Sequence, residues 1–181
     1  MFSERGYEGT NMRELAHALG LGKSALYKHY ASKDDIWNTM LDQIEARYSA
    51  SIGSADNLPP VPDSCDELVE ASMKMIDFTI HDEQLILVRK LLLMEQFRDE
   101  RAKTLAADHF LNRLERIFAY VFEGMMDKGL LKRGDPTLLA LAYTAPVSAL
   151  IIECDRYPDK EPEIMERIRT FITHFVDAYE E

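Results

Sequence analysis

Apolar residues recur at helical spacing in segment after segment of this chain, and no stretch of useful length alternates apolar and polar residues as a strand does. The clearest stripe lies between Glu100 and Lys128. Its apolar members are Phe110, Leu114, Ile117, Phe118, Val121, Phe122, Met125 and Met126. Residues three and four positions apart share one face of a helix, and such a face needs a partner to cover it. The sequence therefore predicts an all-α protein made of packed helices.

Start and stop signals divide this pattern into separate helices. Gly20 and Gly129 are expected to end helices, while Ser32 and Ser64, each three positions before an acidic residue, are expected to cap them. The predicted helices are Met12–Leu19, one beginning near Lys23, Ser32 to about Ser51, Ser64–His81, Glu83–Phe97, Glu100–Lys128, about 136–154 and about 163–180. The proline-containing segment Gly53–Pro62 is the expected boundary loop. We therefore predict two domains, residues 1–48 and residues 49–181.

The net charge of −11 disfavours nucleic-acid binding if the chain is taken as a whole, because phosphates attract cations. The charge is unevenly distributed, however. Residues 1–37 carry five basic and five acidic side chains, whereas the rest of the chain carries 16 basic and 27 acidic ones. A neutral head on an acidic body can still approach DNA by one face.

Signals of catalysis and of metal binding are missing from the sequence. It contains no Gly-rich phosphate loop, HExxH motif or nucleophile elbow, and Cys65 and Cys154 are far apart and outside any CxxC motif. The nearest polar cluster, His81-Asp82-Glu83, lies where one predicted helix ends and another begins, which favours a solvated turn. We expect no enzymatic activity, no cofactor and no metal site.

The sequence also bears on where the protein works. Its N-terminus has no apolar run behind a positive segment, and the longest uncharged stretch, Pro136–Ile152, is shorter than the ~20 residues of a membrane-spanning helix. Pro146 interrupts that stretch. We expect a cytoplasmic protein without a membrane segment, in which Pro136–Ile152 forms a buried helix.

Two short predicted helices near the N-terminus have the spacing of a helix-turn-helix. Such a motif needs a small residue where the helices approach, a left-handed residue at the turn and an apolar residue that packs back, and Ala16, Gly20 and Leu26 meet these needs. The surrounding string, FSERGYEGTNMRELAHALGLGKSALYKHYASKDDIW, closely resembles the DNA-binding signature of the TetR family from Phe2 to Trp37. This resemblance implies an N-terminal helix-turn-helix domain followed by a larger helical domain that binds an effector and dimerises.

The resemblance also implies which residues contact DNA. A recognition helix directs its N-terminal residues towards base edges, and Lys33 would meet the DNA backbone at the start of the next helix. Thr10, at a helix start, is a further candidate for a phosphate contact. Tyr30 is expected in the core. The predicted recognition-helix residues are Gly22, Lys23, Ser24, Ala25, Tyr27, Lys28 and His29.

One departure from the family pattern concerns the first helix. Members of the family carry a full helix before the equivalent of Phe2, and here only Met1 and Phe2 correspond to it. Either the recorded start is a downstream methionine, or the protein has lost this helix and with it some stability or DNA affinity. Both alternatives stay open on the sequence.

The body is expected to supply a dimer interface and a pocket. The resemblance implies a homodimer through helices about 136–154 and 163–180, and the first of these is too apolar to face water. Adaptable apolar side chains on the helices between 64 and 128 suit an effector pocket, with Tyr143 as a polar contact. The predicted pocket residues are Met73, Phe78, Phe97, Phe110, Tyr120 and Tyr143.

These features together predict a DNA-binding transcriptional regulator. We expect a repressor that binds operator DNA and is released by a small, largely apolar effector, with the helix from Ser32 to about Ser51 transmitting the change. The alternative is a ligand-binding or scaffolding helical dimer that has lost DNA binding through its missing first helix.

Overall fold

The computed structural model describes residues 1–52 and 58–181, with the side chains of Lys23 and residues 47–52 left out of the description. Within this part of the chain the only strand-like pairing is an isolated bridge between Leu131 and Glu180, and the all-α prediction is confirmed. The α-helices are α1 Phe2–Arg5, α2 Met12–Ala18, α3 Lys23–Tyr27, α4 Lys33–Ile52, α5 Cys65–His81, α6 Glu83–Glu95, α7 Glu100–Ala107, α8 Arg113–Asp127, α9 Pro136–Arg156 and α10 Glu161–Tyr179.

Local capping interactions fix the helix ends where the sequence predicted them. The hydroxyl oxygen of Ser64 accepts a hydrogen bond of 3.1 Å from the Glu67 N–H at the start of α5, and Asp135 caps α9. At the end of α8, Gly129 has a φ of +72°, and the N–H of Leu130 bonds back to the Met125 carbonyl at 2.9 Å. This left-handed closure satisfies carbonyls that the helix leaves without partners.

The prediction of a single long helix over Glu100–Lys128 is wrong in one respect. A π-helical turn, Asp108–Asn112, separates α7 from α8. A π turn widens the helix locally, and a pattern of apolar residues three and four positions apart does not reveal it. The Asp108 carboxylate accepts hydrogen bonds of 2.8 Å from both Arg113 and Arg116. Burial alone would raise the Asp108 pKa, but these hydrogen bonds outweigh burial and lower it.

The chain divides into two compact units. The first comprises Met1–Ile52 together with Leu87–Ala106, and the second comprises the described residues of Gly53–Ile86 together with Ala107–Glu181. The predicted boundary loop Gly53–Pro62 falls largely outside the described residues, since only 58–62 are described. The domain limits 1–48 and 49–181 stay a prediction.

The second unit has one extended hydrophobic core. Its aromatic members cluster around Tyr143, whose ring centroid lies 4.9 Å from that of Phe118 and 5.0 Å from that of Phe175. The Tyr143 hydroxyl donates a hydrogen bond of 2.8 Å to Ser72, so this buried polar group is satisfied. Further core residues contributed by α5, α8, α9 and α10 are Leu68, Ile76, Phe122, Met125, Val147, Ile151, Ile164, Ile168 and Ile172.

Helix α9 is apolar on both of its faces. Within the described chain it is the one helix long and apolar enough to cross a bilayer, a test of length and composition that core helices of soluble proteins also pass. One face is buried through residues such as Leu139 and Val147. The other is open in the single chain, where Leu138 is 64% exposed. Exposed apolar patches of this kind are typical of interaction sites.

Candidate DNA-binding site

Helices α2 and α3 form a compact helix-turn-helix. The Asn11 side chain caps α2 by accepting hydrogen bonds of 3.1 and 3.0 Å from the Arg13 and Glu14 N–H groups. Gly20, with a φ of +66°, closes the helix: its own N–H bonds to the His17 carbonyl. The chain then enters α3 through Gly22, the N-cap residue of that helix.

A small core sets the angle between the two helices. Ala16 and Leu26 are buried against each other and Met12, and Tyr30 packs at the edge of this cluster. The predicted roles of Ala16, Gly20 and Leu26 in the motif are confirmed by this arrangement. The opposite side of α3 is therefore left to face outwards.

The outward side of α3 carries most of the predicted recognition residues. Ser24, Lys28 and His29 are exposed, Tyr27 is 44% exposed, and Ala25 is half-buried. Gly22 is exposed at the start of the helix. Lys23 belongs to α3, but its side chain lies outside the described residues. The structure thus brings these positions together on one short helix, while their contacts with DNA stay a prediction.

Thr10 lies differently from what its predicted role suggests. Its side chain is buried, and its hydroxyl donates a hydrogen bond of 2.9 Å to the Gly6 carbonyl. The exposed polar side chain at the start of α2 is Asn11. The phosphate contact of Thr10 stays a prediction.

Lys33 is engaged within the head. Its ammonium group donates a hydrogen bond of 3.0 Å to the Tyr7 carbonyl and lies 3.9 Å from the centroid of the Tyr7 ring. The Tyr7 hydroxyl in turn hydrogen-bonds to Asp34. The predicted DNA-backbone contact of Lys33 is not tested by this geometry, but the residue clearly also links α4 to the segment after α1.

Sequence reasoning missed the part of the first unit that comes from much later in the chain. The Glu95 carboxylate accepts a hydrogen bond of 2.9 Å from the Tyr7 N–H, and Asp99 accepts one of 3.3 Å from the Trp37 indole N–H. Arg101 donates to the Asn38 carbonyl at 3.3 Å and pairs with Asp42. The segment 87–106 therefore holds both the loop after α1 and the first turns of α4. The hints in the sequence were the charged residues Arg89 and Glu95 in a Leu-rich stretch, and both are buried.

Comparison with known proteins identifies this head. Residues 1–40 match the family model of bacterial regulatory proteins, tetR family. Over these 40 of its 181 residues the chain matches the TetR family. The HTH-type transcriptional repressor KstR2 of Mycobacterium tuberculosis is 38% identical over 61 residues, which cover 32% of this chain and 30% of KstR2. The match thus spans less than a third of this relative's length.

Solved TetR-type structures resemble the whole chain in fold. The repressor SmeT of the Stenotrophomonas maltophilia multidrug efflux pump SmeDEF has a TM-score of 0.65 at 18% identity, with 99% of this chain and 85% of SmeT covered. A transcriptional regulator from Saccharomonospora viridis in complex with choline has a TM-score of 0.67 at 16% identity, with 99% and 92% covered. At these identities the likeness establishes the fold: an N-terminal helix-turn-helix and a helical remainder.

The predicted effector-pocket residues do not share one environment. Met73 and Tyr143 belong to the buried core of the second unit. Phe110 is half-buried on the π turn, and Phe78 and Tyr120 are exposed. Phe97 is 89% exposed and belongs to the first unit. The pocket stays a prediction, and no group of side chains among the described residues is suited to hold a metal ion.

Proposed function

We propose that this chain is a TetR-family transcriptional repressor that binds a two-fold operator as a homodimer. The observation that carries the proposal is the outward side of α3, where Ser24, Tyr27, Lys28 and His29 stand clear of the core. A helix presented in this way enters the major groove with its N-terminal residues towards the bases. Two copies related by a two-fold axis then read two half-sites related by the same axis.

The chemistry of each position suggests a role. Ser24 and Lys23 lie at the start of α3, where a hydroxyl or an ammonium group reaches base acceptors, and Gly22 and Ala25 keep this start uncrowded. The Tyr27 hydroxyl, Lys28 and His29 suit phosphate contacts that position the helix. In this proposal Lys33 contributes a contact with the DNA backbone.

Homodimerisation is supported by the open face of α9. Leu138 and Leu141 are exposed on this helix, and covering them against a second copy removes apolar area from water. The proposed interface joins helices 136–154 and 163–180 of both copies into a four-helix bundle.

DNA binding is tested by footprinting and by fluorescence anisotropy on the region upstream of the protein's own gene. We expect a symmetric protected site, and Ser24→Ala should cost about 1–3 kcal/mol at one base position of each half-site. Lys74→Ala, which changes an exposed residue of α5, is the matched control and should bind as the unaltered protein does. Protection of a single asymmetric stretch by a monomer would contradict the proposal.

A small, largely apolar effector is the proposed release signal. The support is the aromatic and Met-rich core of the second unit and the π turn beside it, because π turns are frequent at functional sites. An effector lowers DNA affinity only by as much as it prefers the conformation that does not bind DNA. Segment 87–106 contacts Tyr7, Trp37 and α4, and it belongs to the same compact unit as the DNA-binding helices.

A thermal-shift screen of hydrophobic compounds, followed by operator binding with each hit, tests the release mechanism. A ligand present at about 100 times its dissociation constant stabilises the folded state by roughly 2.7 kcal/mol, which such a screen detects. We expect stabilising compounds to weaken operator binding. Stabilising compounds that leave operator affinity unchanged would overturn the release mechanism while leaving DNA binding intact.

A further inference from the structure

The first unit contains a second, smaller cleft whose walls are chemically unusual. It measures about 270 Å³ and is lined by residues of the head and of segment 87–106, among them Tyr7, Trp37, Glu95 and Asp99. This volume lies just below that of pockets that hold drug-sized ligands, which is about 300–1,000 Å³. The cleft therefore suits a small molecule or ion.

The charge of the cleft is strongly negative. Glu8, Asp34, Glu95 and Asp99 line it, and Arg98 is the one cation among the lining residues. The pKa of Tyr7 is raised to about 12, first by its hydrogen bond to Asp34, then by burial and by the negative charges of Asp34, Glu8 and Asp99. The field in the cleft thus favours a positively charged occupant.

Glu95 is the decisive side chain. It is 2% exposed, and its one hydrogen bond among the described residues comes from the Tyr7 N–H to Oε1. No ion pair of Glu95 occurs among the described residues, although Arg98 lines the same cleft. A carboxylate so deeply buried is costly unless a cation or several donors compensate its charge. Its second oxygen, Oε2, accepts no hydrogen bond from the described part of the chain.

The aromatic side chains that line the cleft indicate which kind of cation it binds. Trp37 and Tyr7 meet edge to face at a centroid distance of 5.3 Å, and the Lys33 ammonium group already lies over the Tyr7 ring. Rings of this kind attract organic ammonium groups. A bare metal ion fits less well, since no cluster of three ligating side chains occurs among the described residues.

We propose that this cleft binds a small aliphatic amine, whose ammonium group donates to Glu95 and rests against Trp37. Asp34 and Asp99 supply further negative charge around it. Because Tyr7, Asp34 and Trp37 come from the head while Glu95 and Asp99 come from segment 87–106, an occupied cleft joins these two parts of the first unit. Bound amine would therefore stabilise this unit.

Trp37 is the only tryptophan of the chain and lines this cleft, so tryptophan fluorescence is sensitive to an occupant of the cleft. The full-length protein is titrated with 1,4-diaminobutane while sodium chloride holds the ionic strength constant. We expect a saturable change in fluorescence and a raised melting temperature. A change that does not saturate, or that sodium chloride alone reproduces, overturns the proposal. Saturation by Mg²⁺ in competition with the amine also overturns it, because the site would then be a metal site.

Variants that each remove one charge test whether the amine binds in this cleft. Glu95→Gln keeps an oxygen that accepts the hydrogen bond from the Tyr7 N–H, and it should weaken amine binding at least tenfold. The control is Glu100→Gln, which changes an exposed carboxylate outside the cleft and should leave amine binding unchanged. If Glu95→Gln fails to fold, Asp34→Asn provides the same test at an exposed lining residue. Arg98→Gln should strengthen binding, since it removes a repelling charge. Equal affinity in Glu95→Gln or Asp34→Asn and in the unaltered protein contradicts the proposal. None of these measurements depends on DNA binding.

Discussion

The Tyr7 N–H donates a hydrogen bond of 2.9 Å to the Glu95 carboxylate, across 88 positions of sequence. The residue before Tyr7 makes this contact possible. Gly6 has a φ of +70° and a ψ of −179°, a backbone conformation that only glycine adopts readily, and a Cβ atom there would collide with Glu95 Oε1. The loop after α1 can therefore approach segment 87–106 closely only because it contains a glycine.

Gly6→Ala should destabilise the protein by about 1–3 kcal/mol from backbone strain, with a further cost from the collision with Glu95. Gly20→Ala is the matched control, because Gly20 also has a positive φ but a Cβ atom added there would meet no other atom within 4 Å. Urea unfolding should show a larger loss of stability for Gly6→Ala. An equal loss in the two variants would mean that the contact with Glu95 is unimportant.

Tyr143 and Ser72 form a buried hydroxyl pair at 2.8 Å. Tyr143→Phe leaves the Ser72 hydroxyl buried without its partner and should cost about 1–3 kcal/mol. The double variant Tyr143→Phe with Ser72→Ala removes both polar groups and should recover part of this loss. Chemical unfolding of the single and double variants measures the coupling. Strictly additive losses would show that the pair contributes no specific interaction.

The local features of this fold were predictable because they depend on near neighbours in sequence. The closure at Gly20 and the small core of Ala16 and Leu26 follow from turn chemistry and helical spacing, as does the stop at Gly129. The all-α class follows from the same periodicity. The DNA-binding head was recognisable for a different reason, its likeness to a known family.

Long-range packing was not predictable in this way. No local pattern indicates that Glu95 contacts Tyr7 or that Asp99 contacts Trp37, because these pairs meet only in the folded chain. Apolar spacing also does not say which member of a stripe is buried. Phe97 was expected in a pocket and is 89% exposed just after α6. The π turn at Asp108–Asn112 escaped for the same reason, since one inserted residue barely alters the apolar pattern.

Stability should fall as the pH rises from about 10 to about 12. Burial raises the pKa of Tyr143 from 10.0 to about 12, against a smaller opposite effect of Ser72. The unfolded chain therefore loses this proton first, and the stabilisation present below pH 10 disappears as the pH passes the folded-state pKa. In Tyr143→Phe, stability should fall less steeply over this pH range. It should still fall, because the raised pKa values of Tyr7 and Cys65 act in the same direction. Melting temperatures between pH 9 and pH 12 test this, and an unchanged slope would contradict it.

Lys33→Ala should weaken binding to all DNA sequences alike and reduce the dependence of log affinity on log salt concentration by about one. Ser24→Ala should instead change base preference and leave the salt dependence intact. Because Lys33 also bonds to the Tyr7 carbonyl, the melting temperature of Lys33→Ala must be measured alongside. Unchanged affinity and salt dependence in a stably folded variant would rule out the phosphate contact.

Ala149→Glu should disrupt the homodimer. Ala149 is exposed on the open face of α9, so a glutamate there is tolerated in the single chain but would be buried without a partner in the proposed four-helix bundle. The desolvation of that charge costs several kcal/mol in each copy, enough to dissociate a dimer of ordinary affinity. Ala71→Glu places the same charge on an exposed position of α5, outside the proposed interface, and should leave the dimer intact. Sedimentation velocity measures the oligomeric state of both variants. We expect Ala149→Glu to be a monomer and Ala71→Glu to be a dimer. A stable Ala149→Glu dimer would exclude this face of α9 as the interface.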